Sequence, residues 1–190
     1  CSDEIHCDLL LDKDARHIPF ASLSAAAAQR SAVLMAPSKT FNIAGLCCSF
    51  AIIPNPTLRH KLQQSMRGLM ADNNLLGFIA AEAAYAEGEE WLAAQLEYLR
   101  DNRDLLMREL GSLPGVKIAH IEATYLAWID VSGLKLENPI ASFEAGGVGL
   151  SPGAQFGDGN FIRLNFGCSR ELLTEAIRRM RQVILARIRD

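Results

Sequence analysis

Lys39 is the residue of this sequence best suited to covalent chemistry, because it stands in a Ser-Lys-Thr segment between the apolar runs 31–35 and 47–53. Apolar surroundings favour the neutral amine of a lysine, which is the nucleophilic form that attacks a carbonyl carbon to make a Schiff base. The spacing alone leaves a second interpretation open, in which Lys39 is an exposed lysine of a solvated loop.

Asp3 and Arg163 are the charged residues whose positions best suit the binding of a small ligand. Asp3 stands at the predicted end of a strand, and open α/β folds bind their ligands at the carboxyl edge of the sheet. Arg163 lies in a predicted strand, 161–166, on a face away from the main apolar side, and its guanidinium fork matches a carboxylate. The competing interpretations are a polar turn for Asp3 and a surface ion pair for Arg163.

Other kinds of site are disfavoured by the spacing of the residues that they require. The four histidines, at positions 6, 17, 60 and 120, make no metal-ligand set. The order of serine, histidine and aspartate does not exclude a catalytic triad, but the G-x-S-x-G elbow is absent. The glycines between 146 and 153 match neither a G-x-G-x-x-G motif nor a Walker loop. We therefore expect no metal and no phosphate loop of these types.

The composition predicts a folded protein that binds neither nucleic acid nor a membrane. The 190 residues are 49% hydrophobic, and 19 basic against 22 acidic side chains give a net charge of −3. The longest apolar stretch, 75–86, is shorter than the roughly 20 residues of a membrane span. The five cysteines form no C-x-x-C pair, which indicates a reducing compartment and a cytoplasmic location.

The first 56 residues are predicted to form part of a sheet. The pattern indicates strands at 9–11 and 31–35, with one or two helical turns at 25–28 between them. Pro37 favours a loop over 36–42, so Lys39 is expected in a loop, and 47–53 reads as a strand. The first residues resemble the end of a strand, which suggests that the chain is a fragment of a longer protein.

The rest of the chain is predicted to be helical and then mixed. Residues 57–110 show the leucine spacing of one buried helical face, with a break at Gly88. A smaller α+β module comes next, with strands at 116–119, 125–129 and 161–166 and a final helix over 170–189. That helix is expected to bury Leu173, Ile177, Met180 and Ile184.

Five segments, in order, resemble the pyridoxal-phosphate cystathionine β-lyases of the MalY/PatB type, within the class I aminotransferase-like, fold type I superfamily. They are SDEIH at 2–6, HIPFASL at 17–23, APSKTFNIAGL at 36–46, TYLAWID at 124–130 and FIRLNFGC at 161–168. The resemblance implies an α/β fold made of the C-terminal part of a large domain, residues 1–56, a helical connection, 57–110, and a small α+β domain, 111–190.

The resemblance also implies roles for the candidate residues. Lys39 would bond covalently to pyridoxal 5'-phosphate, Asp3 would pair with its pyridine nitrogen, and Arg163 would hold the substrate α-carboxylate. His6 would lie near the phenolic oxygen of the cofactor, and Ser38 would contact its phosphate. Many aminotransferases of this fold carry a phosphate-binding arginine eight residues after the lysine, but here that position is Cys47.

The activity implied is α,β-elimination of an S-substituted amino acid to thiol, pyruvate and ammonia, in a homodimeric enzyme. Two alternatives stay open: an aminotransferase that uses the same three residues, and an aminotransferase-like domain that senses pyridoxal phosphate in a transcriptional regulator. Family members are roughly twice as long as this chain and complete the active site with their N-terminal part. The isolated chain is therefore expected to be inactive, to expose apolar faces and to self-associate.

Overall fold

The computed structural model describes residues 1–189, which divide into two compact units. The first unit is Cys1–Leu96 and the second begins at Glu97. The boundary falls inside a helix, α5, which spans Glu89–Leu110. The three-part division at residues 56 and 110 stays a prediction.

The sheet of the first unit has three strands, β1 Ser2–Asp3, β2 Val33–Met35 and β3 Phe50–Ile52, in the order β1-β2-β3. Strands β1 and β2 are parallel, whereas β2 and β3 are antiparallel. The crossover from β1 to β2 contains a helical turn, Phe20–Ser22, and a short helix, α1 Ala25–Gln29. The helix lies where the sequence predicts helical turns, whereas the turn at Phe20–Ser22 was not predicted.

Two predicted elements of this unit are different in the structure. Residues 9–11 do not form a strand; Leu10 makes an isolated bridge, while Leu9 and Leu11 are buried in the core between backbone turns. The segment predicted as a loop contains a one-turn helix, α2 Pro37–Thr40. The cause is Pro37, because the fixed φ of proline favours the first turn of a helix, where its missing N–H is not needed.

Three helices come after the first sheet: α3 Pro56–Met66, α4 Leu75–Glu87 and α5. Asparagine side chains cap the first two, since Asn55 accepts from the N–H groups of Thr57 and Leu58, and Asn74 accepts from that of Gly77. The predicted break at Gly88 is confirmed. A Cβ at this glycine would lie 2.5 Å from the ring of Phe41, so the close approach requires glycine.

The second unit is a four-stranded antiparallel sheet packed against helices. Its strands are β4 Lys117–Ile118, β5 Leu126–Asp130, β6 Ser151–Pro152 and β7 Phe161–Asn165, in the order β4-β5-β7-β6. Helix α6 spans Pro139–Ala145, and the final helix, α7, spans Arg170–Arg189. Among residues 1–189, no helix combines the length and the apolar character that crossing a membrane requires.

The core of this unit lies between one face of the sheet and the apolar face of α7. Ile162 and Leu164 of β7 are buried, while Arg163 between them is half-buried on the opposite face, as the alternation predicts. Helix α7 buries the four apolar residues expected from its spacing, which are Leu173, Ile177, Met180 and Ile184. Burial of each contributes about 1.5–3 kcal/mol.

Candidate active site

Asp3 ends one of two neighbouring parallel strands and Lys39 follows the other, at the same end of the first sheet. Asp3 is the last residue of β1, opposite Leu34 of β2, and Lys39 comes four residues after the end of β2. Because β1 and β2 are parallel, their carboxyl ends form one edge of the sheet, where open α/β folds bind ligands. The structure thus brings the segments of the predicted carboxylate and the predicted nucleophile to a single edge.

The carboxylate of Asp3 is exposed at this edge. Its Oδ1 accepts a long hydrogen bond, 3.4 Å, from the backbone N–H of Ile5. A hydrogen bond of this length is weak, so the oxygens keep capacity to accept from a ligand N–H. His6 lies in the following turn, half-buried, and its carbonyl accepts from the N–H of Leu9.

Glu4, which the sequence reasoning did not single out, is buried beside Asp3 and ionised. Its carboxylate accepts hydrogen bonds from the Ser2 hydroxyl at 2.9 Å, from the Phe20 N–H at 2.9 Å and from His17 Nε2 at 2.6 Å. Burial by itself would raise the pKa of Glu4, but these hydrogen bonds outweigh it and hold the pKa below its ordinary value. Glu4 therefore fastens the end of β1 to residues 17–20.

Lys39 is half-buried in the single turn of α2, which is closed by hydrogen bonds from Phe41 N–H to the Pro37 carbonyl and from Ile43 N–H to the Ser38 carbonyl. A fully solvated loop lysine is therefore not what the structure shows. Next to it, Thr40 is fully buried, and its hydroxyl donates to Oδ2 of Asp8 at 3.1 Å. Sequence spacing gave no indication of this hydrogen bond, which joins residues 32 positions apart.

Ser38 lines a cavity of about 490 Å³ in the first unit, together with Cys47, Cys48 and the asparagine pair Asn73 and Asn74. Cys47, eight residues after Lys39, is exposed and has a left-handed backbone with φ of +50°. The lining therefore offers hydroxyl, thiol and amide groups, together with the carboxylate of Asp72. The Ser38 hydroxyl can donate a hydrogen bond to an anion. The amide groups of Asn73 and Asn74 already donate to backbone carbonyls, at 3.3 and 3.0 Å.

Arg163 is held by neutral partners in the second unit. Its Nη2 donates to the Ser151 hydroxyl at 3.1 Å, and its Cζ lies 4.6 Å from the ring centroid of Phe156. Phe156 packs edge-on against Trp128, which stacks on Phe161 with centroids 5.0 Å apart. These contacts orient the guanidinium without neutralising its charge, and the side chain lines a cavity of about 500 Å³. An anionic ligand is the natural partner for such a group.

Asn102 is a second residue that the sequence reasoning missed. It is fully buried in α5, and its amide donates to the carbonyls of Phe166 and Cys168 at 2.9 and 3.0 Å, while its Oδ1 accepts from Arg170 Nε at 2.6 Å. Asn102 thus secures the chain between β7, which carries Arg163, and α7. The indication in the sequence was a polar residue on the apolar face that Leu99 and Leu106 define.

The sequence pattern of the family described as Aminotransferase class I and II matches residues 1–180. The chain belongs to this family. It is 40% identical over 190 residues to cystathionine beta-lyase PatB of Bacillus subtilis (strain 168), in a match that covers 96% of this chain and 49% of PatB. The resemblance drawn from the five sequence segments is therefore confirmed.

Two solved structures show how closely the fold agrees with that of the family. The crystal structure of OvoB gives a TM-score of 0.94 at 53% identity, over 97% of this chain and 48% of OvoB. Cystalysin from Treponema denticola, whose structure contains pyridoxal 5'-phosphate, gives 0.89 at 31% identity, over 97% of this chain and 48% of cystalysin. The predicted α/β, fold type I architecture is confirmed, and the chain spans about half the length of the relatives that it matches.

Proposed function

We propose that the protein containing this chain is a pyridoxal 5'-phosphate-dependent carbon–sulfur β-lyase, which converts an S-substituted amino acid to a thiol, pyruvate and ammonia. The observation that carries the proposal is the placement of Asp3 at the end of β1 and of Lys39 just after the parallel strand β2, at one sheet edge. The names of the relatives support the reaction class, since PatB is a cystathionine β-lyase and cystalysin contains the cofactor.

The side chains at this edge fit the cofactor chemically. Asp3 offers an exposed carboxylate for a pyridinium N–H, Lys39 an amine for the aldehyde, and Ser38 a hydroxyl for the phosphate. We assign His6, in the turn after Asp3, to the neighbourhood of the phenolic oxygen. When bound, pyridoxal phosphate supplies an electron sink that stabilises negative charge on the substrate Cα.

The residues of this chain then have separate tasks. Asp3, as a carboxylate, holds a proton on the pyridine nitrogen. Arg163 binds the substrate α-carboxylate through two parallel hydrogen bonds and so fixes the direction of the Cα–H bond. Lys39 is the base whose Nζ removes the Cα proton. The electron pair of that bond forms a Cα–Cβ double bond as the thiolate leaves Cβ, and the released aminoacrylate is hydrolysed to pyruvate and ammonia.

Borohydride trapping tests this assignment on the whole protein. The protein is incubated with pyridoxal phosphate, reduced and digested, and the modified residue is located by mass spectrometry. We expect label on Lys39 and not on the other four lysines of this chain, Lys13, Lys61, Lys117 and Lys135. We also expect Lys39→Ala to abolish turnover and Lys61→Ala, at an exposed position, to retain it. Dominant label on another lysine would refute the proposal.

Transamination is the second candidate, because the family is defined by aminotransferases and the same three residues serve that reaction. Both reactions begin with removal of the Cα proton, and they differ in the fate of the resulting electron pair. Product analysis separates them, since a lyase gives pyruvate and thiol, whereas an aminotransferase gives a new amino acid. Pyruvate and thiol formed in equal amounts would favour the lyase.

We further propose that the protein is a homodimer of the cytoplasm. Support for association comes from α4 of the first unit, where Leu75, Leu76 and Phe78 are 71%, 67% and 55% exposed. Support for a reducing compartment comes from the cysteines, all five of which are free thiols. Analytical ultracentrifugation of the whole protein tests the first statement, and a monomer at micromolar concentration would contradict it.

A further inference from the structure

A side-chain hydrogen bond joins the two segments that carry Asp3 and Lys39. The hydroxyl of Thr40, the residue after Lys39, donates to Oδ2 of Asp8 at 3.1 Å. Asp8 lies five residues after Asp3, in the turns that come after β1. The bond therefore connects the segment that carries Asp3 to the segment that carries Lys39, in addition to the pairing of β1 with β2.

Because the pair is largely buried, losing this hydrogen bond is expected to cost free energy. Thr40 is fully buried and Asp8 is half-buried, so neither side chain is freely hydrated when the bond is lost. Asp8 also accepts, through Oδ1, from the thiol of Cys7 at 3.5 Å. Burial, and then the charge of Asp8, raise the pKa of Cys7 to about 11, so this neighbour stays a neutral donor. Hydrogen bonds to a charged acceptor are stronger than bonds between neutral groups.

Each end of the bridge is tied to the sheet or to packed side chains. The two turns of residues 4–9, the second of which contains Asp8, are closed by backbone hydrogen bonds from the N–H of Cys7 to the Glu4 carbonyl and from the N–H of Leu9 to the His6 carbonyl. The Glu4 N–H donates to the Leu34 carbonyl of β2. On the other side, Phe41 packs against Tyr85 and Trp91, with centroids 5.8 and 6.1 Å away. A helix of one turn has little stability of its own, so these attachments decide where α2 places Lys39.

We propose that Thr40 and Asp8 are positioning residues, which hold Lys39 at a fixed place relative to Asp3. The inference rests on the proposed function, because it assigns the bond a role in the use of Lys39 and Asp3. A displacement of about 1 Å at a reacting group lowers rates by up to 100-fold. Loss of the bond should therefore slow the steps that need Lys39 and leave carboxylate binding by Arg163 nearly unchanged.

The test compares Thr40→Val, which keeps the shape and removes the hydroxyl, with Thr40→Ser, which restores it. In the whole protein we measure the rate at which Lys39 captures added pyridoxal phosphate, the visible circular dichroism of the bound cofactor, and kcat and KM. For Thr40→Val we expect capture and kcat to fall about tenfold, KM to stay within about twofold, and the dichroism to weaken. Thr40→Ser should recover all of them to within about twofold.

Thr174→Val provides the matched control, because the exposed Thr174 hydroxyl donates to the Arg170 carbonyl in the second unit. It makes the same chemical change and should leave the capture rate and the dichroism as they are. Asp8→Ala, alone and combined with Thr40→Val, completes a double-mutant cycle. If both residues act through one bond, the double variant should be no slower than the slower single variant.

The outcomes separate this inference from the proposed function. If Lys39 of the unaltered protein is trapped by borohydride but Thr40→Val captures the cofactor at the unaltered rate, the positioning role is refuted and the proposed function stands. If Thr40→Val does not fold, Asp8→Ala with an unaltered rate and dichroism gives the same refutation. If Lys39 of the unaltered protein is not trapped, the proposed function fails and this inference fails with it.

Discussion

The Glu4 carboxylate and the His17 imidazole meet at 2.6 Å, across thirteen positions of sequence, and make a clasp beside Asp3 in which Glu4 is buried and His17 is exposed. Glu4 is 6% exposed, and its second carboxylate oxygen, Oε1, accepts from the Ser2 hydroxyl and from the N–H of Phe20. The clasp fixes the direction in which the chain leaves β1. Its strength depends on the negative charge of Glu4, which leads to a prediction about pH.

Glu4→Gln should destabilise the protein by about 1–3 kcal/mol at pH 7, because it replaces a charged acceptor with a neutral one. The folded-state pKa of Glu4 lies below the ordinary value of 4.5, so the stability that the carboxylate contributes is present above pH 4.5. That stability is lost as the pH falls through the folded-state pKa. The difference in unfolding free energy between the two proteins should therefore shrink below pH 4.5.

Urea unfolding at pH 7, 5, 4 and 3 checks this prediction. Glu144→Gln, at an exposed position of α6, is the matched control and should change the free energy of unfolding by less than about 0.5 kcal/mol. If the difference in unfolding free energy between Glu4→Gln and the unaltered protein does not change with pH, the contribution of Glu4 comes from its shape and not from its charge.

Asn102→Ala should lower the free energy of unfolding by about 3 kcal/mol, because it leaves the carbonyls of Phe166 and Cys168 and the guanidinium of Arg170 without their buried partner. Asn102→Asp keeps an acceptor for Arg170 but loses both amide donors, and it should also be destabilising. Thermal unfolding measures both effects. The exposed Asn160→Ala is the control, and equal stability of Asn102→Ala and Asn160→Ala would contradict the role of Asn102.

Arg163→Lys should reduce kcat/KM by about 10- to 100-fold, chiefly through KM, because a lysine cannot reproduce the two parallel hydrogen bonds of a guanidinium. Because Arg163→Lys keeps the positive charge, the reduction in kcat/KM measures what the hydrogen-bonding geometry of the guanidinium contributes. Arg178→Lys makes the same change at an exposed ion pair with Glu175 and should leave both constants unaltered. A drop in kcat at constant KM would argue that Arg163 acts on the chemical step instead.

Asp3→Asn should lower kcat by about 100-fold or more, because an amide does not keep a proton on the pyridine nitrogen as a carboxylate does. The variant is nearly isosteric, and Asp3 is exposed, so folding should be little affected. Steady-state kinetics with saturating cofactor measure the effect. Asp14→Asn, also exposed, serves as the control. Unchanged turnover in Asp3→Asn would refute the assignment of Asp3 to the active site.

The elements with strong periodicity could be predicted from the sequence, and the long-range contacts could not. The apolar spacing of α7 and the break at Gly88 are local properties, and the structure reproduces both. The one-turn helix at Lys39 was missed because a Pro-Ser-Lys-Thr segment is too short for a period to show. The Glu4–His17 and Thr40–Asp8 hydrogen bonds depend on which loops the sheet brings together, and spacing along the chain does not record that.

Strand β1 has two residues, so its pairing register with β2 determines which side chain stands at the sheet edge. A slip of one residue would exchange the two faces of the strand, and either Ser2 or Glu4 would take the place of Asp3. In the observed alignment, Glu4 accepts hydrogen bonds from His17 and from the N–H of Phe20, which fasten the end of β1 to residues 17–20. Glu4 therefore helps to fix the register of β1, and the presentation of Asp3 to a ligand depends on Glu4 even though Glu4 itself need not contact the ligand.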